Sequence, residues 1–129
     1  MGKWANTKVM DKGLEYLKDH TTHLVACQGQ PQDYLGAITD LPTGHYLGKI
    51  SLGLNHFQLQ AGLASGRRLT VLGRSSLLTT QTGMADHFAL VDQTNGELLY
   101  VTTVANAQQT YAQNTIDTPD WDITISAPL

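Results

Sequence analysis

The sequence is short of charged residues and of cysteine, and both shortages exclude classes of protein. Charged side chains make up 15% of the 129 residues, against about 25% in an average soluble domain. The single cysteine, Cys27, cannot form an internal disulfide, so the chain is not a disulfide-built secreted scaffold. The polar surface must come from threonine, glutamine, asparagine, serine and glycine. Threonine favours strands and glycine favours turns, so the composition favours a β fold, and the low charge leaves little electrostatic barrier to protein–protein contact.

Basic stretches and long apolar runs are also missing. The net charge is −3, and the basic cluster consists of Arg67 and Arg68 with Arg74 nearby. Three arginines are too few to track a phosphate backbone. Apolar runs fall well short of the roughly 20 residues of a membrane span, and the N-terminal residues contain no apolar signal core. We therefore expect no nucleic-acid partner, no membrane partner and no secretion by a signal peptide.

The length of the chain suits one domain with a single core. We predict a single β domain over residues 1–129, with an N-terminal arm and a short helix in residues 1–20 and a β core over residues 23–126. A chain of this length buries enough surface to fold without a metal or a disulfide.

The stretch Ala85–Val104 has the clearest β pattern in the sequence. Two apolar segments flank Asn95-Gly96, a dipeptide typical of a two-residue type I′ turn. Both faces of both segments are apolar, which predicts a hairpin of two central strands covered on both sides.

The other elements are predicted from periodicity. Apolar side chains at helical spacing predict a helix over Val9–Lys18 with Thr7 as its N-cap, and Tyr34–Ile38 favours a helical turn. Gly53–His56 is predicted to be a hairpin turn, and residues 105–114 a long connection or a weak edge strand. Short strands separated by turn residues predict an antiparallel β-sandwich or barrel-like fold; they lie at residues 23–28, 49–52, 57–61, 68–72, 76–81 and 121–126, the last with Trp121 facing the core.

Metal-binding patterns are weak. His20 and His23 lie three residues apart beside Asp19, but a second cysteine and a helical HxxxH pair are lacking, so we expect structural or solvated histidines. Three carboxylates near the C-terminus are expected to be solvated: Asp117, Asp120 and Asp122.

Catalytic patterns are equally weak. Asp86-His87 lies in the predicted hairpin, and Ser75-Ser76 lacks the GxSxG elbow of a nucleophile. Neighbouring residues on a regular strand face opposite sides, so Asp86 should not orient His87. Cys27 is predicted to be a buried, inert thiol. We therefore predict no catalytic, cofactor-binding or metal-binding residues, and a protein that is not an enzyme.

Short segments spread over nearly the whole chain follow a recognisable order. They are Val9–Tyr16, Leu24–Cys27, Gln30-Pro31 with Tyr34, Gly66–Val71, Ala85–Asp92, Leu98–Thr103, Asn114-Thr115 and Trp121–Ile125. In this order they resemble a family of small virion proteins of tailed phages, whose genes commonly lie among the head-morphogenesis genes. None of these segments is a catalytic signature, so the resemblance transfers no functional residues.

The resemblance implies a structural virion protein that decorates or cements the capsid. It would be made in the host cytoplasm and lie on the capsid surface. Its partners would be the major capsid protein and copies of itself, with a trimer at a capsid three-fold axis as a natural assembly.

Two other functions remain open from the sequence. A receptor-binding or carbohydrate-binding module of a tail or head fibre would cluster exposed aromatic side chains on one face, with Trp4, Tyr34, Tyr46 and Tyr111 as candidates. A hydrolase would use His87, or His20 with His23, in a concave site.

Overall fold

The computed structural model describes residues 7–62 and 66–125. Over these residues the chain is mostly β, with two antiparallel sheets, one of them curled into a half-barrel, and a short N-terminal helix; the predicted fold class is confirmed. The described residues group into two compact units, each with its own sheet. The single domain over residues 1–129 stays a prediction. Trp4, the rest of the N-terminal arm and Ser126 lie outside the described residues.

The described residues form nine strands, two α-helices and one 3₁₀ helix. In chain order these are α1 (Thr7–His20), β1 (His23–Cys27), α2 (Tyr34–Ile38), β2 (Tyr46–Ser51), the 3₁₀ helix (Leu54–His56), β3 (Phe57–Ala61), β4 (Arg67–Val71), β5 (Arg74–Thr79), β6 (Gly83–Asp92), β7 (Glu97–Thr110), β8 (Thr115–Thr118) and β9 (Trp121–Ile125).

The second unit, Thr21–Leu52 with Arg74–Thr118, contains the six-stranded sheet. Its strand order is β7-β6-β1-β2-β5-β8, so β6 and β1 are interior strands. Phe88 and the next three residues of β6 are all buried. Four consecutive buried residues on one strand require cover on both faces of the sheet, which confirms the predicted central position of β6.

The turn of the β6–β7 hairpin differs from the predicted type I′ turn. Asp92 pairs with Glu97, so four residues, 93–96, form the connection. Gly96 has a φ of +65°, but Asn95 lacks the positive φ that a type I′ turn requires at both central positions. The prediction is wrong because the Asp92 carboxylate accepts hydrogen bonds from the backbone N and the side-chain Nδ2 of Asn95, at 3.2 and 2.7 Å, and holds a wider turn.

β7 is an edge strand, and the prediction that it is a second central strand is wrong. Among the described strands it pairs only with β6, and most of its residues are half-buried or exposed. β7 continues to Thr110, so the prediction of a weak edge strand over residues 105–114 is confirmed for residues 105–110. Two irregularities interrupt its pairing with β6, one at Leu99 and one at residues 104–107.

The first unit contains the three-stranded sheet, in the order β3-β4-β9, with α1 packed against β4 and β3. It is formed by the described parts of Met1–His20, Gly53–Gly73 and Pro119–Leu129. The helix predicted over Val9–Lys18 is confirmed and is longer, since α1 runs from Thr7 to His20. Thr7, the predicted N-cap, is itself a helical residue.

Close packing and an ion pair hold α1 on this sheet. Leu14 is buried, and a Cβ on Gly13 would lie 3.6 Å from Cδ1 of Ile125, an ordinary contact distance. The Arg67 guanidinium Nε donates to Asp11 Oδ1 at 2.7 Å, which joins β4 to the helix. Trp121, predicted to face the core, is only half-buried, whereas Ile123 of the same strand is buried.

The predicted hairpin between residues 49–52 and 57–61 does not form. β2 begins three residues earlier than predicted and pairs with β1 and β5, whereas β3 pairs with β4 in the other sheet. Gly53–His56 carries a 3₁₀ turn instead, in which His56 N donates to Gly53 O at 3.0 Å and Gly53 N donates to His56 Nδ1 at 2.8 Å. These two bonds close the turn on itself, so the chain leaves one sheet and enters the next.

Candidate functional site

A cleft of about 600 Å³ opens at the end of β1 in the second unit. Three separate stretches of the chain form it: the segment after β1, the connection from α2 to β2, and the middle of β6. The lining residues are Gln28, Gly29, Leu41, Pro42, Gly44, His45 and Asp86. The peptide bond between Leu41 and Pro42 is cis.

Gly29 allows the backbone to turn into the cleft. Its φ is +83°, in the left-handed region that residues with a side chain rarely adopt. A Cβ at this position would lie 2.9 Å from Nδ1 of His45, closer than real Cβ contacts. The Gly29 N–H donates to Oδ1 of Asp86 at 2.7 Å. A glycine is therefore required here both for the turn and for the space beside the imidazole.

Asp86 and His87 form a hydrogen-bonded pair, so the prediction that Asp86 does not orient His87 is wrong. His87 Nδ1–H donates to Asp86 Oδ1 at 2.8 Å. Asp86 lies where the ladder between β6 and β7 is interrupted, since Ala85 pairs with Gln108 and His87 pairs with Thr103. Burial raises the pKa of Asp86, but the hydrogen bonds from His87 and Gly29 outweigh burial and hold this pKa below its ordinary value.

Hydrogen bonds also fix the orientation of His45 and Gln28. The Gln28 carbonyl oxygen only accepts, so His45 Nδ1 donates to it at 2.8 Å. The Gln28 side-chain Oε1 accepts from Met84 N at 2.8 Å. On these two side chains, the atoms that could contact a ligand are Nε2 of His45 and Nε2 of Gln28. The first accepts a hydrogen bond when the ring is neutral, and the second donates one.

Cys27, the thiol next to the Asp86–His87 pair, is unreactive. Cys27 is the antiparallel neighbour of His87 and is fully buried, as predicted. Burial, together with the negative charge of Asp86, raises the pKa of Cys27 to about 12. The thiol is therefore protonated at neutral pH and is a poor nucleophile. The Asp86–His87 pair can hold a proton at the imidazole but has no activated nucleophile in Cys27.

The other predicted candidates have local partners. His20 Nδ1 bonds to Tyr16 O at 3.0 Å and His23 Nδ1 to Thr22 Oγ1 at 2.9 Å. Burial, and then the charge of Lys49, lower the pKa of His23. Within residues 7–62 and 66–125, histidine, cysteine and carboxylate side chains do not form a group of three that could hold a metal ion.

The remaining polar candidates are used by the fold. Ser75 and Ser76 lie on β5, and two strands separate β5 from the strand of His87 in the sheet. Arg68 and the three C-terminal carboxylates also have partners inside their own units. Asp117 accepts from Ser76 N at 3.2 Å, Asp120 from Gly73 N, and Asp122 from Arg68 Nη1 at 3.3 Å and from Thr70 Oγ1 at 2.6 Å.

The predicted cluster of exposed aromatics is not present in the described residues. Tyr34 and Tyr46 are half-buried and pack on the core cluster of Val25, Cys27, Ala37, Ala89 and Val91. Of the candidates that the structure describes, only Tyr111 is well exposed, at 58%.

A second surface feature lies at the other connections of the same sheet, in residues 78–84 and 109–115. We call it the uncharged surface because its 14 residues contain no charged residue and no histidine. Three of its large apolar side chains are exposed: Leu78 by 46%, Met84 by 39% and Tyr111 by 58%.

Hydrogen bonds join the two segments of the uncharged surface. The single hydroxyl hydrogen of Thr79 is shared between the carbonyl oxygens of Tyr111 and Asn114, which lie 3.0 and 2.9 Å from Oγ1. Thr110 Oγ1 bonds in the same way to the carbonyl of Gly83, at 3.0 Å. Ala112 N donates to Thr82 Oγ1 at 3.2 Å. Buried threonine hydroxyls thus hold the segments together, so this surface is formed before any partner arrives.

Sequence reasoning missed both the cleft and the uncharged surface. The cleft combines three stretches that carry no shared local motif. The uncharged surface did have a signal, two seven-residue segments without charge, but their adjacency depends on strand pairing. No helix in the described part of the chain is long and apolar enough to cross a membrane.

Comparison with known proteins gives no relative. The sequence matches no protein-family model, no curated protein and no solved structure.

Proposed function

We propose that this protein is a non-enzymatic component of a phage virion that binds the outside of the capsid in many copies. The proposal starts from the resemblance of the sequence to small virion proteins of tailed phages. The structural observation that supports it best is the uncharged surface, residues 78–84 and 109–115, with its three exposed apolar side chains.

The chemistry of this surface suits docking to another protein. Exposed Tyr and Met are enriched in protein interfaces, whereas charged side chains are depleted at their centres because desolvating a charge is costly. The hydroxyl and amide groups of the two segments already bond to each other. Little ordering of these segments is then needed on binding, which lowers its entropic cost.

The arginines support the same interpretation. Arg67 pairs with Asp11 and Arg68 with Asp122, and Arg74 donates to the carbonyl of Ser51. These side chains hold helix, strands and loops within their units, which leaves them poorly placed to attract a polyanion. Contact through neutral groups is individually weak, but a shell with many copies sums many such contacts.

The experiment uses capsids assembled without this protein. Purified wild-type protein should co-sediment with such heads at a fixed stoichiometry. Tyr111→Lys and Met84→Lys should each weaken this binding by about tenfold or more, since each places a charge in a desolvated contact. Leu54→Lys is the matched control: Leu54 is 60% exposed but belongs to the first unit.

Two results would contradict the proposal. One is wild-type protein that stays in the supernatant at all concentrations. The other is equal binding by wild-type protein and the Tyr111→Lys and Met84→Lys variants, which would remove the uncharged surface from the contact.

A carbohydrate-binding or receptor-binding role in a fibre is a second candidate, and the exposure of Tyr111 favours it. An exposed aromatic ring can stack on the apolar face of a sugar. A glycan array should then give hits that Tyr111→Ala abolishes, and an array without hits removes this candidate. Binding to heads and binding to glycans are measured separately, so a negative result in one assay removes only the function which that assay tests.

A further inference from the structure

The cleft presents mostly hydrogen-bond acceptors. Asp86 uses Oδ1 for Gly29 and His87, which leaves Oδ2 to accept from a ligand; its side chain is 42% exposed. His45 donates through Nδ1 to a backbone carbonyl, so its Nε2 is the ring atom that a ligand could meet. Gln28 adds a side-chain amide whose oxygen is already occupied by Met84 N. A ligand that donates hydrogen bonds fits this set better than one that accepts them.

One side of the cleft is apolar. Leu41 and Pro42 line it together with the backbone of Gly44. Such a wall suits the aliphatic part of a long side chain whose polar end reaches the carboxylate. The described residues that line this cleft include no tyrosine, tryptophan or phenylalanine ring on which a sugar would stack.

The charge of the second unit also favours a cationic ligand. Six carboxylates against two basic side chains give a net charge of −4. Both basic side chains are already engaged: Lys49 Nζ donates to Gln93 Oε1 at 2.8 Å, and Arg74 donates to Ser51 O. His87 can offset the charge of Asp86 only when it is protonated. The carboxylates are Asp33, Asp40, Asp86, Asp92, Glu97 and Asp117.

We propose that the cleft binds the guanidinium or ammonium group of a basic side chain. Oδ2 of Asp86 accepts from the cation, Nε2 of His45 accepts a second hydrogen bond, and the stem lies along Leu41 and Pro42. A charge-assisted hydrogen bond of this kind is stronger than a neutral one. The cation could come from a peptide segment of a partner protein or from a free amine, and the test separates the two sources.

This inference goes beyond the proposed function and does not depend on it. The cleft and the uncharged surface are formed by different residues, so a protein that fails to bind heads could still bind a cation in the cleft. The probes below are small molecules, and capsids are not part of the test.

The test follows the backbone amide signals of Gly29 and Gly44 in ¹⁵N-labelled full-length protein by NMR. The probes are the capped tripeptide Ala-Arg-Ala, the same tripeptide with citrulline in place of arginine, and free arginine. Citrulline has nearly the shape of arginine but no charge. We expect saturable shifts at both glycines with Ala-Arg-Ala and binding about tenfold weaker or more with the citrulline peptide.

The two arginine probes identify the source of the cation. Tighter binding of the capped tripeptide than of free arginine indicates a peptide ligand, and the reverse order indicates a free amine. Either order supports a cation site.

Asp86→Asn is the test variant, because asparagine keeps an oxygen that can accept from Gly29 but loses the charge. It should lose at least about tenfold in affinity for Ala-Arg-Ala. The proposal is overturned if arginine probes do not shift these signals, if citrulline binds equally well, or if folded Asp86→Asn binds as wild type does. The arginine–citrulline comparison on wild-type protein decides the matter even if Asp86→Asn does not fold.

Discussion

Removing the ring of Phe88 should cost the second unit a large part of its stability. Phe88 is 3% exposed and lies on β6, whose partners on either side place Ala26 and Thr102 opposite it. A buried phenylalanine removes about 150–250 Å² from water, which at about 25 cal/mol per Å² corresponds to about 4–6 kcal/mol. Alanine keeps a small part of this, and measured Phe→Ala losses in cores are about 3–5 kcal/mol.

We therefore expect Phe88→Ala to lower the free energy of unfolding by about 3–5 kcal/mol. Urea unfolding followed by far-UV circular dichroism measures this as a lower midpoint with an unchanged slope. Met84→Ala is the matched control on the same strand, because Met84 is 39% exposed and should cost less than about 1 kcal/mol. A loss below about 1 kcal/mol for Phe88→Ala as well would refute the assignment of β6 as the covered central strand.

Three further predictions concern a glycine pair, a histidine and the cysteine. Gly29→Ala should destabilise the protein by about 1–2 kcal/mol or more because of its positive φ and the imidazole beside it, whereas Gly13→Ala in α1 should stabilise it by about 0.5–1 kcal/mol; thermal unfolding of the two variants should shift in opposite directions. Burial lowers the pKa of His23 below 6.5, so below about pH 6.5 the unfolded chain binds more protons than the folded protein and the free energy of unfolding should fall. The urea midpoint, measured at two pH values, should therefore fall less for His23→Gln than for the wild-type protein. Cys27, with a pKa of about 12, should not react with a thiol reagent at neutral pH until the protein unfolds, and rapid labelling of the native protein would contradict its burial.

The sequence predicted those elements whose pattern is local and complete. β6 was recognisable because both of its faces are apolar, and Tyr34–Ile38 forms a short helix whose N-cap, Asp33, accepts from Gly36 N at 2.7 Å. β8 was missed because Thr115–Thr118 is short and polar, and it becomes a strand by pairing with β5.

The errors share a physical cause, which is that a distant or unexpected partner overrides a local preference. Asn95-Gly96 favours a two-residue turn, but the carboxylate of Asp92 captures Asn95. Asp86 and His87 are neighbours on a strand, but they lie where its pairing with β7 is interrupted, and the Asp86 carboxylate accepts a hydrogen bond from His87 Nδ1. The sequence does not encode these events in any local pattern, since each depends on which segments pair.

The cleft was unpredictable for the same reason. Its charged group on β6, its imidazole before β2 and its glycine after β1 are tens of residues apart. The chemistry of each residue was visible in the sequence, but their convergence required the sheet order to be known.

The two irregularities of β7 bear on how densely copies of this protein can be packed. A long edge strand exposes free backbone groups that can recruit the edge of another molecule and start aggregation. β7 has 14 residues and one charged side chain, Glu97, at its beginning, so it lacks the lysines and prolines that often guard an edge. The interruptions at Leu99 and at residues 104–107 divide the pairing with β6 into three short stretches, Glu97–Leu98, Tyr100–Thr103 and Gln108–Thr110. Bulges twist an edge away from a regular ladder, so we expect β7 to be a poorer template for pairing with another copy than an uninterrupted strand of 14 residues.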